Sequence, residues 1–212
     1  MRDLAWSALS TVRDPELDQP ITDLGFVAAL TCDDEGIRAE LRLPTYFCAP
    51  NFAWLMVADA RDALLTVAAH VDVVLLDHFA AEEINAAAGG FADRFDTDGS
   101  DPSLSDLRAV FDRKAHTAAQ ERLARALGPE LRADMSLAEA LLLAPDAASA
   151  VVRRRERLGL VSELAICDDE GGPIAADRLG AWLRFARTVR VSVDGNTALC
   201  RGLLSTRYGL TG

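Results

Sequence analysis

Residues 37–43 alternate strictly between apolar and charged side chains: Ile37, Ala39, Leu41 and Leu43 against Arg38, Glu40 and Arg42. A period of two places all the apolar groups on one face of a strand, so this segment must seat that face on a core. Asp33-Asp34-Glu35-Gly36 precedes it as a polar turn with a Gly available for positive φ. Residues 25–32 read as a second strand, and the two predict a hairpin. A hairpin needs covering elements to be stable. Residues 2–12 offer one, with Leu4, Ala5, Ala8, Leu9 and Val12 at helical spacing and a stop at Asp14-Pro15. Residues 52–69, rich in Ala, Leu and Val behind Asn51 as a cap, offer another. Residues 71–76 are almost continuously apolar and predict a third strand covered on both faces. The order helix, strand, strand, helix, strand defines a small α+β unit.

The second half of the chain has a different surface. Residues 1–100 hold 6 basic and 18 acidic groups, a net of −12, whereas residues 101–212 hold 16 and 15, a net of +1. With the loop-like Asp96-Thr97-Asp98-Gly99-Ser100-Asp101-Pro102, this shift places a boundary near 100. Residues 1–100 are expected to form the α+β domain and 101–212 a mainly helical extension. The extension predicts helices at 103–127, capped by Ser103, at 136–143 and at 147–158. Its tail mixes apolar runs with glycines, and Asp194-Gly195 between two such runs suggests a closing β-hairpin.

Composition excludes several functions. A net charge of −11 disfavours nucleic acid and anionic membrane as partners. No apolar run reaches the roughly 18 residues that span a bilayer. The first residues lack the apolar stretch of a signal peptide. The four Cys, at 32, 48, 167 and 200, form no CxxC pair. The chain therefore reads as cytoplasmic, with reduced thiols. No GxSxG elbow, phosphate-binding loop or GxGxxG is present, so a conventional enzyme is not expected.

Three constellations could carry chemistry. Cys48 lies in Pro44-Thr45-Tyr46-Phe47-Cys48-Ala49-Pro50, between a strand and a helix start. Taken alone, the loop reads first as a structural thiol beside two prolines. The functional reading is a thiolate stabilised at a helix N-terminus. Asp14-Pro15-Glu16 and Asp23 form acidic turns before the first strand, which turn chemistry explains, or which lie beside Cys48 and help hold a metal. His78, followed by Glu82, would share a helix face if a helix began near 78 and could then join a metal site. The chain has only three His, at 70, 78 and 116, and a solvated helix start is the preferred reading. The basic run Arg153-Arg154-Arg155 with Arg157 reads as a solvated helix face. Cys48, Cys167 and Cys200 could meet in space, although no spacing supports it.

Asp14-Pro15-Glu16-Leu17, then Asp23-Leu24-Gly25, then the hairpin, then Thr45 three residues before Cys48, together resemble the SufT/PaaD-type iron–sulfur cluster assembly domain. The resemblance covers about residues 3–80. One departure is Ala49 between Cys48 and Pro50, where many members place Pro directly after the Cys. The resemblance implies a maturation factor rather than an enzyme. Cys48 maps to the reactive thiol and Asp14 and Glu16 to the acidic turn, with Thr45 and Asp23 in the same motifs. It implies transient handling of iron or an iron–sulfur cluster for a client metalloenzyme. The long form resembles proteins encoded beside bacterial di-iron monooxygenases. One Cys per chain cannot complete a four-thiolate cluster, and the hairpin edge invites a homodimer. The rival readings are a metal-free interaction adaptor and a Cys-dependent hydrolase.

Overall fold

The computed structural model describes residues 1–86 and 104–209. The architecture is α+β, a three-stranded sheet with helices followed by a mostly helical region. The chain divides into two compact units, Met1–Asp106 with Asn196–Gly212, and Leu107–Gly195. The expected boundary near residue 100, and Ser103 as a cap, lie outside the described residues.

The first unit opens with α1 (Arg2–Leu9), followed by β1 (Val27–Asp33) and β2 (Gly36–Arg42). Helix α2 (Pro50–Leu65) then crosses to β3 (Val71–Leu76), and α3 (Ala81–Ala86) follows. The sheet order is β1-β2-β3, with β1 antiparallel and β3 parallel to β2. The alternation in β2 does what its period requires: Ile37, Ala39, Leu41 and the following Leu43 are all buried. They join Leu9, Phe26, Met56, Leu64 and Leu75 in one core. Asp33 Oδ1 accepts the backbone N–H groups of Glu35 (2.9 Å) and Gly36 (3.1 Å), which tightens the hairpin.

Gly36 is required where it stands. Its φ is +142°, and a Cβ there would lie 2.4 Å from the carbonyl oxygen of His70. The clash is with backbone, which has little room to give. Gly36→Ala is expected to cost about 1–3 kcal/mol, read as a drop in the unfolding midpoint of the first unit.

Two expectations for this unit change. Helix α2 starts at Pro50, with Ala49 rather than Asn51 at the N-cap, because Pro at the first helical position sacrifices no needed N–H. In β3 only Val73 and Leu75 are buried, while Val74 and Leu76 are half-buried. An edge strand with α2 packed on it is covered mainly on one face.

The second unit contains α4 (Ser105–Leu127), a 3-10 turn at Gly128–Glu130, α5 (Leu137–Leu143) and α6 (Pro145–Leu158). Ser136 caps α5 through its hydroxyl, which accepts from Glu139 N–H at 3.1 Å. The tail expectation is overturned. Residues Ala176–Tyr208 form one 33-residue helix, α7, and no terminal hairpin exists. Asp194 does not turn the chain. Its carboxylate accepts from Arg190 one helical turn back (2.6 Å) and from Arg122 of α4 (2.7 Å), which holds it in helix. Leu179, Trp182 and Leu183 pack on the core of the second unit, whereas Cys200, Leu204 and Tyr208 pack on that of the first.

The basic run is a solvated face only in part: Arg153 and Arg157 are exposed, but the two arginines between them are not. Arg154 and Arg155 are buried. The Arg155 guanidinium donates to His116 Nε2 (3.2 Å), to the carbonyls of Ser162, Leu164 and Ala165, and to Cys167 Sγ (3.2 Å). An irregular stretch behind α6 offered its carbonyls inward, and a buried fork of donors satisfies them.

Candidate functional site

The site is built where the C-terminal ends of β2 and β3 meet the start of α2. Leu43 and Pro44 are buried, and the chain then rises so that Tyr46 and Phe47 are exposed and Cys48 is half-buried. Thr45 Oγ1 lies 3.3 Å from Cys48 Sγ. That hydroxyl can donate to a thiolate or accept from a thiol, so it serves both protonation states. Ala49 becomes the N-cap, so Cys48 stands one residue outside α2.

His78 holds the loop from below. Its Nδ1 accepts the N–H of Ala80 at 3.2 Å, which leaves the proton on Nε2. Nε2 then donates to the carbonyl of Cys48 at 2.7 Å. The ring is 5 % exposed, and both its nitrogens are engaged with backbone. Asp77, with φ +50°, makes the sharp turn that delivers His78 to this position. Helix α3 begins only at Ala81, so His78 precedes it, and Glu82 is an exposed residue of its first turn. The shared helix face expected for His78 and Glu82 is therefore not formed.

The acidic turns have two distinct roles. Asp14 is buried, and its Oδ1 accepts from Glu16 N–H (2.9 Å) and Leu17 N–H (2.8 Å). Burial nonetheless pushes its carboxyl up to about 6. Glu16 accepts from Asn196 Nδ2 at 3.0 Å. Asp23 turns its side chain outward, and its backbone carbonyl faces Arg201 of α7.

Cys200, expected in the core, is half-buried against the first unit's core, on which Cys48 also packs. Its thiol is pushed up to about 11, first by burial and then by the charges of Asp14, Cys48 and Glu16. The signal was present in the chain: Asn196, Cys200 and Leu204 recur every fourth residue, which is helical spacing. The hairpin expectation hid it. Cys167, by contrast, is wholly buried within the second unit's core, and burial raises its thiol too.

Beside Cys48 lies a group of exposed rings. Phe47 and Phe79 are 5.9 Å apart between centroids, and Tyr46 packs edge-on against Phe47 at 5.0 Å. Phe47 is 76 % exposed, an unusual state for a phenylalanine flanked by two more aromatics. A cleft of about 550 Å³ lined by Glu35, Arg61 and His70 lies at the opposite end of the sheet, away from the thiol.

A small α+β domain with a half-buried thiol between strand and helix is the class defined so far. Residues 2–75 match the family model described as iron-sulfur cluster assembly protein. That match covers about the first third of the chain, and further chain lies beyond it. Comparison with curated proteins and with solved structures gave no match. The family match supports a role in handling iron–sulfur clusters. Cys48, Thr45, Asp14, Glu16 and Asp23 fall inside the matched segment, and His78, Glu82 and Cys200 outside it. Among the described residues, no group of three or more His, Cys, Asp and Glu is placed to hold a metal ion. Among them also, no helix is long and apolar enough to cross a membrane.

Proposed function

We propose that the first unit is a maturation factor whose Cys48 takes iron or an iron–sulfur cluster as transient cargo and passes it to a client metalloenzyme. The observation that carries this reading is the presentation of Cys48 in the matched domain. The sulfur is half-buried, contacted by the Thr45 hydroxyl, and mounted on a loop fixed through its backbone by His78. A thiol held this way is positioned without being enclosed, which suits a ligand that must let go. His78 acts as a positioning residue, because it meets Cys48 at the carbonyl and not at the sulfur. That same geometry speaks against a Cys-dependent hydrolase, which needs an imidazole at the thiol.

The client docks on the exposed rings of Tyr46, Phe47 and Phe79, beside the thiol that hands over the cargo. The cargo's remaining ligands come from outside the motif, since thiolate clusters take four. A second copy of the chain, paired at the exposed β1 edge, is one supplier, and light scattering at tens of micromolar reads whether it forms.

Anaerobic reconstitution with ferrous iron and sulfide tests the reading. The Cys48→Ser variant is expected to fold as wild type does, yet to retain no iron after desalting and to leave the client immature. The exchange keeps the side-chain volume and replaces a soft ligand by a hard one. Undiminished client maturation by Cys48→Ser would leave the thiol structural and favour the metal-free adaptor.

A further inference from the structure

The parallel ladder between β2 and β3 ends at the pair Arg42 and Leu76. Beyond it the two strands part. Leu43 leads into the Cys48 loop, and Asp77 leads into the turn that carries His78. One guanidinium holds the two carbonyls at this fork. Arg207, near the end of α7, donates from Nη1 to the carbonyl of Leu43 at 3.2 Å and from Nη2 to that of Asp77 at 2.6 Å. Its planar fork reaches two acceptors at once. Asp77 has φ +50°, a left-handed conformation that a residue with a Cβ keeps only where its surroundings require it. The donor at its carbonyl is one such requirement.

Beyond the fork, loop and turn meet again. Phe79 N–H donates to the carbonyl of Tyr46 at 3.1 Å, and His78 Nε2 to that of Cys48 at 2.7 Å. Loop and turn therefore close a ring of hydrogen bonds whose root is Arg207. The helix itself does not depend on this side chain. Its last turns, from Asn196 onward, belong to the first unit and are fixed there by other contacts. Asn196 Nδ2 donates to Glu16 at 3.0 Å, Arg201 donates to Gln19 Oε1 at 2.8 Å, and Leu204, 3 % exposed, packs against Gly25.

We propose that Arg207 is a positioning residue for the Cys48 thiol, rooting at one point the loop that carries Cys48 and the turn that carries His78. The proposal rests on the reading of Cys48 as the cargo thiol. Each arm of the guanidinium leads to a group that contacts Cys48. Leu43 stands two residues before Thr45, whose hydroxyl lies 3.3 Å from the sulfur, and Asp77 stands directly before His78. The family match ends at residue 75, so this support comes from chain that the match does not cover.

The full chain, labelled with nitrogen-15 and without added metal, tests the link by nuclear magnetic resonance. In wild type the His78 Nε2 proton, held to the Cys48 carbonyl, is expected to give a slowly exchanging imidazole resonance. Arg207→Met keeps an apolar stem and removes the donors. It is expected to lose that resonance and to let the Phe79 and Ala80 amides exchange about tenfold faster, with the Leu30 and Leu64 amides unchanged. Arg207→Lys is expected to lie between, since one ammonium replaces one arm better than two. Arg201→Gln, which removes a helix anchor away from the fork, is expected to match wild type. Iron retained after reconstitution with ferrous iron and sulfide should follow the same order. An unchanged His78 resonance and unchanged amide rates in Arg207→Met overturn the proposal. Acceleration spread evenly over the first unit also overturns it, because that marks a contact of general stability. So does full iron retention by Arg207→Met where Cys48→Ser has lost its iron. Undiminished retention by Cys48→Ser is a separate failure: it removes the cargo reading, and the positioning role with it.

Discussion

Arg155→Leu is expected to unfold the second unit at temperatures where the first remains folded, with a loss of about 3–5 kcal/mol. The Arg155 side chain is the hub of that unit. It closes the stretch from Ser162 to Cys167 onto α6 by donating to three backbone carbonyls, to the Cys167 sulfur and to His116 on α4. Leucine fills part of the volume but leaves those carbonyls without donors, and each buried orphan costs about 1–3 kcal/mol. Among the groups it contacts there is no carboxylate, so removing the guanidinium strands no opposite charge. The loss comes from hydrogen bonds and from the disordering of 160–167. Arg155→Lys should recover only part of it, because one ammonium cannot cover the fan of acceptors that a planar fork reaches. Urea unfolding followed by hydrogen exchange, peptide by peptide, measures this. A change under 1 kcal/mol, with protection around Ala165 intact, would show that water replaces the guanidinium without cost.

The two units are expected to respond to pH in opposite directions between about 4 and 6. In the second unit, His116 is 2 % exposed. Burial, followed by the charges of Arg155 and Arg154, pushes its pKa down to about 4 from the ordinary 6.5. Across that interval the unfolded chain binds a proton that the folded chain refuses. Its contribution is therefore complete above pH 6.5 and is lost as the pH falls towards 4, by about 3 kcal/mol in all. In the first unit, burial raises Asp14 from 3.8 to about 6. Here the folded chain holds the proton that the unfolded chain has released. That contribution is complete below pH 3.8 and is lost as the pH rises through 6, again by about 3 kcal/mol. Hydrogen exchange corrected for intrinsic rates, at pH 4.5 and pH 7, should show core amides of 107–195 opening more readily at the lower pH. Those of residues 5–75 should open more readily at the higher. Asp14→Asn keeps an acceptor for the Glu16 and Leu17 N–H groups and should flatten the trend in residues 5–75. His116→Gln should flatten the trend in residues 107–195. Parallel trends in the two units would contradict both assignments.

Much of the first unit was legible in the chain because its signals are local. The alternation of Ile37 to Leu43 and the Asp33–Gly36 turn each act within a few residues and each reappears in the structure, whereas α1 ends at Leu9, short of the expected stop at Asp14-Pro15. The Cys48 loop was legible for the same reason, because Thr45 and Cys48 are three residues apart and meet. Two of the parts misread, Arg155 and the tail, depend on distant partners. Arg155 looked like a surface charge because nothing near it in sequence shows the inward carbonyls that it binds. His78 and Glu82 looked like a helical pair because the positive φ of Asp77, which delays the helix to Ala81, leaves no mark in composition.

The amino-acid sequence by itself determined a hairpin with one apolar face, two helices to cover it, and a thiol at the mouth of the second, because periodicity and turn chemistry are properties of neighbouring residues. Tertiary structure alone decided that Asp194-Gly195 continues a helix, since Arg122 on a different helix is one of the two donors that hold Asp194 there. It alone decided that the last turns of that helix belong to the first unit and set Cys200 on the core that Cys48 also packs against. The physical reason is sequence separation. An ion pair between residues 72 positions apart outweighs the local preference of a glycine for a turn, and the Asn196–Glu16 contact spans 180 positions, so no local window along the chain contains both partners.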